Sequence, residues 1–367
     1  MADIENFTDP LVAAIYEQYE KRGKSEKSRT YLGASIIGRE CKRALWYSFR
    51  WASDEDFDGR MYRLFQTGHL AESRFVADLR SIGATVWDCD PATGKQFGFS
   101  HFGGHMRGHM DACVQGIQGG GRKYHVAEFK THSAKSFATL KKDGVKKAKP
   151  EHYAQMMWYM GKSGMDRALY LAVNKDTDEL YSERIEFDQV EYEKILAKAE
   201  SIIFATEPPP KISDDPKFYI CNWCSHNAVC HGNRTPALSC RTCVHATPER
   251  EPSAAQPEGG RWSCAKQGPE IPLHAQRAGC GHHLPLPFLI TYADAIDAGD
   301  GWIMFQRKDD PAKQFIVTDE ATPLPADLPL QQFIYASKEI SAAKDHRAIC
   351  DQGIEEFRIQ FGGTIAG

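Results

Sequence analysis

The chain has 367 residues, 42% of them hydrophobic and 11% aromatic, enough for one large domain or for a core with one or two smaller attachments. No apolar run is long enough to cross a bilayer, and Met1-Ala2-Asp3-Ile4-Glu5-Asn6 has no basic start leading into an apolar stretch, so a soluble cytoplasmic protein with no membrane partner is expected. The formal net charge of -4 hides a local excess, since Arg122 to Lys149 carries nine Lys or Arg against only Glu128 and Asp143.

Residues 9 to 22 read as an amphipathic helix, with Pro10 in its first turn and Leu11, Ile15 and Tyr19 on one face. From Met61 to Ile82 the apolar positions Leu64, Phe65, Phe75, Val76 and Leu79 recur at helical spacing, Gly83 supplies a stop, and His69 and Glu72 ride on that helix. Gly108 to Ile117 and Lys123 to Thr131 read as strands joined by Gly119-Gly120-Gly121. A helix over 150–161, strands over 168–174 and 180–187, and a helix over 189–205 ended by Pro208-Pro209-Pro210 follow. Helices alternating with pairs of strands predict an α/β core.

Beyond Pro210 the composition turns to Cys, His, Pro and Gly with little periodicity, which describes small metal-held loops. After Leu284-Pro285-Leu286-Pro287, a short hairpin over 302–306 and 314–317 and one or two helices over 330–357 are expected, with no chemistry visible in them. Eleven cysteines in a reducing compartment point to metal ligation rather than to disulfides, and eight of them fall into two groups.

Period-2 alternation on the second strand points Glu128 and Lys130 to one face, with Asp111 on the strand before it. Phosphodiester hydrolysis needs hard oxygen ligands that hold magnesium or manganese, and a neighbouring lysine to position water or steady the transition state. Alone, a Glu and a Lys alternating on a solvated strand are commonplace. Gly68-His69-x-x-Glu72 adds weight, because an ionised carboxylate on an apolar helical stripe must be paired or bind metal.

With Gly68-His69-x-x-Glu72, Asp111, Glu128-x-Lys130 and Gln155-x-x-x-Tyr159 in this order, the sequence resembles the RecB-like nucleases of the PD-(D/E)xK superfamily, especially the small iron-sulfur exonucleases of CRISPR adaptation and their phage relatives. The resemblance covers roughly residues 31 to 230; Met110 stands where the proline that names the superfamily would precede Asp111. It implies a restriction-endonuclease-like core, a mixed central sheet flanked by helices, in a bacterial or phage-encoded protein. It implies that His69, Asp111 and Glu128 are metal ligands, that the Phe129 carbonyl adds another, and that Lys130 is the catalytic lysine. Glu72 would tune the site or lend a carboxylate to a second metal, and Gln155 and Tyr159 would contact the DNA backbone near the cut. His105 and His109, on the Asp111 strand, compete with His69 as ligands.

Cys41 upstream and Cys221, Cys224 and Cys230 downstream match the layout of the iron-sulfur nucleases, which implies a [4Fe-4S] cluster stapling the two ends of the core; zinc is the competing occupant. Cys240, Cys243, Cys264 and Cys280 look like a zinc ribbon, with His282 or His283 as substitutes for Cys280. Lys141, Lys142, Lys146, Lys147 and Lys149 are expected to form a phosphate-tracking rim.

The expected division is a nuclease core over 1–230, a cysteine-rich metal-bound module over 231–284 and a small α+β region over 285–367. The expected function is a metal-dependent exonuclease in DNA recombination, repair or processing. Its partners would be single- or double-stranded DNA, ends preferred, and a recombination or single-strand-binding protein. A nicking or structure-selective endonuclease, and a catalytically idle DNA-binding assembly module, are the alternatives.

Overall fold

The computed structural model describes residues 9–361 apart from 26–27, 54–56, 233, 254–258, 326–332 and 344; Met1 to Asn6 and the first residues of the 330–357 stretch lie outside them. No helix among the described residues is long and apolar enough to cross a membrane.

Helix α1 (Pro10–Ser25) is followed by a two-residue strand β1 (Leu32–Gly33), by α2 (Lys42–Arg50) and by the long α3 (Gly59–Ser81). The Asp58 carboxylate caps α3, accepting the Met61 N–H at 2.7 Å, and Phe75, Val76 and Leu79 form the buried stripe that their spacing predicts. Phe65, expected on that stripe, is 41% exposed. Only the second half of α3 lies on the central sheet; the first half meets α1, where Tyr19 Oη donates to Gln66 Oε1 at 2.5 Å.

After α3 come β2 (Thr85–Trp87), β3 (Gly98–His101), β4 (Met106–His109), β5 (Ala112–Gln115) and β6 (Tyr124–His132). Helices α4 (Ala134–Ala148) and α5 (Pro150–Ser163) lead to β7 (Arg167–Asn174), β8 (Leu180–Glu186) and α6 (Gln189–Ile203). Strands β1, β4 and β3 make a small sheet, and the central sheet runs β2-β5-β6-β7-β8. All its pairs are antiparallel except β6 with β7. A parallel pair needs a crossover, which α4 and α5 supply; with helices on both sides, β6 is buried along most of its length. Alternation divides it. Ala127 and Phe129 join the layer under α3, with Phe129 stacked on Phe75 at 5.2 Å, while Val126 joins Tyr170 and Trp158 in the main core.

The fold is therefore mixed α/β. The cysteine-rich stretch, expected as metal-held loops, also feeds the main apolar core through a hairpin of β9 (Ala246–Pro252) and β10 (Gly260–Cys264). Trp262 on β10 is fully buried and packs 5.4 Å from Phe49. The C-terminal part builds its own sheet from β11 (Ala293–Gly299), β12 (Trp302–Arg307), β13 (Gln314–Thr318) and β14 (Phe333–Ala336), in that order. The hairpin expected over 302–306 and 314–317 is its centre, and Ile303, Phe305, Phe315, Val317 and Tyr335 give it a separate core. Helix Ser337–Ala342 falls within the expected helical stretch, and Gln352–Phe361 begins in it and runs beyond residue 357.

Candidate active site

Glu128 and Lys130 leave the same face of β6, and Lys130 Nζ is in ion-pair contact with Glu128 Oε1. Asp111 is not within a strand, as the reading of Gly108 to Ile117 expected; it sits at the bend where the chain passes from β4 in the small sheet to β5 in the central one. There its Oδ2 accepts the Phe129 N–H at 2.7 Å, which fixes the carboxylate beside the Glu128-Phe129-Lys130 stretch. Glu72, half-buried on α3, completes the group. Burial raises its carboxyl, Asp111 raises it further, and His69 and Lys130 oppose them. His69 Nδ1 lies 3.7 Å from Glu72 Oε1, on a side chain that is 75% exposed.

Glu128 is wholly buried, and its Oε2 has no hydrogen-bond partner among the described residues. Burial pushes its carboxyl up to about 8, with Lys130 opposing and Asp111 and Glu72 adding to the rise. Burial on its own would depress the Lys130 ammonium, but Glu128, Asp111 and Glu72 hold it above its usual range. Three mutually repelling carboxyls with a bare oxygen among them are the donor set that a hard divalent cation takes. As the side chains stand, no three His, Cys, Asp or Glu groups among the described residues are close enough to enclose a metal ion. The Phe129 carbonyl, an expected ligand, accepts from Lys130 Nζ at 3.1 Å.

Gln155 and Tyr159, expected against DNA, are buried. Tyr159 Oη donates to the His109 carbonyl at 2.6 Å and Gln155 Nε2 donates to Tyr159 Oη at 3.4 Å, so both brace β4 just ahead of Asp111. His105 is removed from the carboxylates altogether. It is fully buried against Phe49 and Trp262, and its Nε2–H donates to the Glu249 carbonyl at 2.9 Å. His109 is exposed at the end of β4.

A cleft of about 930 Å³ opens over Glu72 and Lys130, lined also by His69 and Phe129. The basic segment lies elsewhere. Lys141 pairs with Glu179 at 2.5 Å, Lys147 with Asp143 at 2.9 Å and Lys146 with Asp188 at 3.9 Å, while Lys149 Nζ donates to Ser136 Oγ at 2.5 Å. Neither these nor Lys142 line the cleft. Its basic wall comes instead from Arg22, Arg29, Arg39 and Lys175, which sequence reasoning passed over. The one available signal was the spacing of Tyr19 and Arg22 on α1, which puts an aromatic and a cation on the same helix face.

Cys41, Cys221, Cys224 and Cys230 line a single cavity, with Arg43 and Tyr47 between them. Burial raises the thiols of Cys221 and Cys224, and the Cys41 and Cys230 charges raise them further. His226, in the same loop, is held by Ser48 Oγ at 2.8 Å on Nε2 and by Ser53 Oγ at 2.7 Å on Nδ1, which ties the loop to α2 and to the cleft. In the second group burial raises the Cys240 thiol to about 12, with Cys280, Cys243 and Cys264 adding to it; as the side chains stand, no three cysteines of either group are close enough to enclose a metal ion. His283 cannot stand in for Cys280, because Ser337 Oγ at 2.7 Å and the Ser239 carbonyl at 3.0 Å occupy both its nitrogens. His282 faces Asp319 at 3.3 Å.

No family model and no curated protein matches the chain. Among solved structures it is similar to a protein designated SSO0001, at 14% identity and a TM-score of 0.39, over 61% of this chain and 98% of that one. It is similar also to LHK-Exo, an alkaline exonuclease from Laribacter hongkongensis, at 14% identity and a TM-score of 0.33, over 51% of this chain and 90% of the other. LHK-Exo in complex with dAMP gives 14% identity and a TM-score of 0.34, over 52% and 90%.

Proposed function

We propose that the chain is a magnesium- or manganese-dependent DNA exonuclease of the PD-(D/E)xK type, acting in recombination, repair or processing of DNA. The observation that carries this reading is the buried Glu128, one oxygen bare, gathered with Asp111, Glu72 and Lys130, the last two of which line a cleft. Asp111 and Glu128, with Glu72 or His69 and the Phe129 carbonyl, would hold the metal. When bound, it would neutralise charge on the scissile phosphate and acidify a water. Lys130, kept protonated by its three carboxylates, donates to a phosphate oxygen and steadies the negative charge that grows in the transition state.

Two further groups belong to the reading. Cys41, Cys221, Cys224 and Cys230 fit a [4Fe-4S] cluster, supported by their gathering round one cavity; Cys240, Cys243, Cys264 and Cys280 fit a structural zinc. The deciding experiment is the anaerobically purified protein, with manganese, on end-labelled linear DNA and on covalently closed circles. Release of nucleotides from linear DNA alone is expected. Equal cutting of closed circles would replace the exonuclease with an endonuclease, and no cutting of either would remove the nuclease reading.

A further inference from the structure

The cleft is walled by side chains that the chemistry does not use. Arg22, Arg29, Arg39 and Lys175 stand with Lys130 along it, against Glu72 as the carboxylate among its described lining residues. In a chain of net charge -4 that concentration of cations defines a track for a polyanion.

Aromatic rings interleave with those cations. Phe57, Tyr62 and Phe65 form an edge-to-face trio, with ring centroids 5.2 Å apart for Phe57 and Phe65 and 6.1 Å for Tyr62 and Phe65. All three line the cleft, as do Tyr19 and Tyr31. Phe65 is 41% exposed, so part of its ring stays open to the cleft while the rest packs on Phe57 and Tyr62. A ring held in that position offers its face to a planar ligand.

Tyr19 and Arg22 of this wall come from α1, which has no buried residue. It is seated by close approaches rather than by a core. A Cβ on Gly23 would lie 2.1 Å from the Tyr62 ring, and one on Gly59 would lie 2.1 Å from the Tyr16 carbonyl oxygen, so both contacts require glycine. The Glu20 Oε1 also accepts the Gly59 N–H at 3.0 Å.

We propose that α1 and the first half of α3 form a groove for an unpaired DNA strand. Bases stack on the Phe57-Tyr62-Phe65 trio, and phosphates follow Arg22, Arg29, Arg39 and Lys175 down to Lys130. A duplex keeps its base faces against one another, so only an unpaired strand can use the rings. The delivery of that strand to Lys130 rests on the nuclease reading; the groove itself does not.

The test uses the full chain carrying Asp111→Asn, so that DNA is bound and not cut, with fluorescence anisotropy on labelled oligothymidylate and on a blunt duplex of equal length. Phe65→Ala should weaken oligothymidylate binding by on the order of tenfold and leave duplex binding within about twofold, because stacking is lost from one substrate only. Phe65→Trp should restore it. Arg22→Ala with Arg29→Ala should flatten the salt dependence of oligothymidylate binding by about 0.7 per lost phosphate contact. Equal losses on both substrates, or no loss with Phe65→Ala, overturn the groove. Cleavage by the unaltered protein is scored separately. A protein that does not cut but shows this binding pattern loses the nuclease reading and keeps the groove, and one that cuts but ignores Phe65→Ala loses the groove alone.

Discussion

The guanidinium of Arg241 lies 3.7 Å from the ring centroid of Trp51. It is 1% exposed, flanked by Trp262 and Phe49, and paired with no carboxylate among the described residues. Its donors go to the Phe49 carbonyl at 3.0 Å, the Thr30 carbonyl at 2.9 Å and Gln276 Oε1 at 3.1 Å. Three oxygens and three π faces take the place of water around one cation. Because it stands between Cys240 and Cys243, it fastens the cysteine-rich stretch to the N-terminal part of the body. Arg241→Ala should cost roughly 3 kcal/mol, since it unpairs three acceptors, of which the Phe49 carbonyl and Gln276 Oε1 are buried. Arg241→Lys should recover little, as an ammonium lacks the fork that reaches all three. An unchanged urea midpoint in Arg241→Ala would show that the contact is incidental.

Asp111→Asn, Glu128→Gln and Lys130→Ala should each lower manganese-dependent turnover by roughly a hundredfold or more, with DNA affinity changed little, because each group acts on the transition state. Single-turnover rates and a filter-binding titration separate the two effects. Near-normal turnover in any one variant places the chemistry elsewhere.

Tyr159→Phe removes the hydroxyl that donates to the His109 carbonyl at 2.6 Å. A loss of about 1–2 kcal/mol in stability is expected from the unpaired acceptor. Turnover should fall more than affinity, because β4 carries the chain into the Asp111 bend and a small misplacement there is amplified in rate. A variant that loses affinity and keeps its rate would return Tyr159 to the DNA-contact role that the resemblance implies.

Acid should unfold the protein through its histidines. Burial, with Arg241 nearby, lowers His105 to about 4; burial, with Lys149, Lys130 and Lys175, lowers His132 to about 4. In the unfolded chain both titrate near ~6.5. Their folded values are depressed, so the unfolded state binds more protons below that pH. The histidines' contribution is complete above pH ~6.5 and falls toward pH 4 by up to roughly 1.4 kcal/mol per pH unit for each, while Glu128, raised from 4.5 to about 8, works the other way and withdraws stability as pH rises through that window. A urea midpoint constant from pH 7 to about 4.5 would contradict this.

Cys41→Ser should strip iron and sulfide from the anaerobically purified protein as completely as Cys224→Ser, since a cluster with an open corner is exposed to oxidation. Zinc at the second group should survive both changes. Full iron in Cys41→Ser would exclude that residue as a ligand, and zinc in place of iron in the unaltered protein would reassign the cavity.

How much of this was legible follows from which signals are local. The second half of α3 was readable because burial imposes a helical period on it, and β7, buried along almost its whole length, was readable as a short continuous apolar run. Glu128 and Lys130 were readable through alternation along one strand. Asp111 was misread as a strand residue because a bend between two sheets leaves no mark in a run of small and apolar neighbours. The lysines of α4 misled: their number is visible in sequence, but Glu179, Asp143 and Asp188, which neutralise three of them, come mostly from elsewhere in the chain. The true wall of the cleft depends on α1 folding back over α3, a contact that leaves slight traces: the shared helix face of Tyr19 and Arg22, and two glycines, Gly23 and Gly59, that look like ordinary loop or helix-end residues.

The meeting of Cys41 with Cys230 at one cavity has a consequence for synthesis. The ribosome releases Cys41 before any strand of the central sheet exists, and its three companions emerge only after α6 is complete. A nascent chain therefore carries an unaccompanied thiol at the start of α2 through the whole making of the sheet. Closure of that cavity waits on Cys230, and a chain stopped before Cys221 would keep every strand of that sheet, with α2 held by Trp46 and Arg50 on the Ala205 carbonyl but without its cysteine companions.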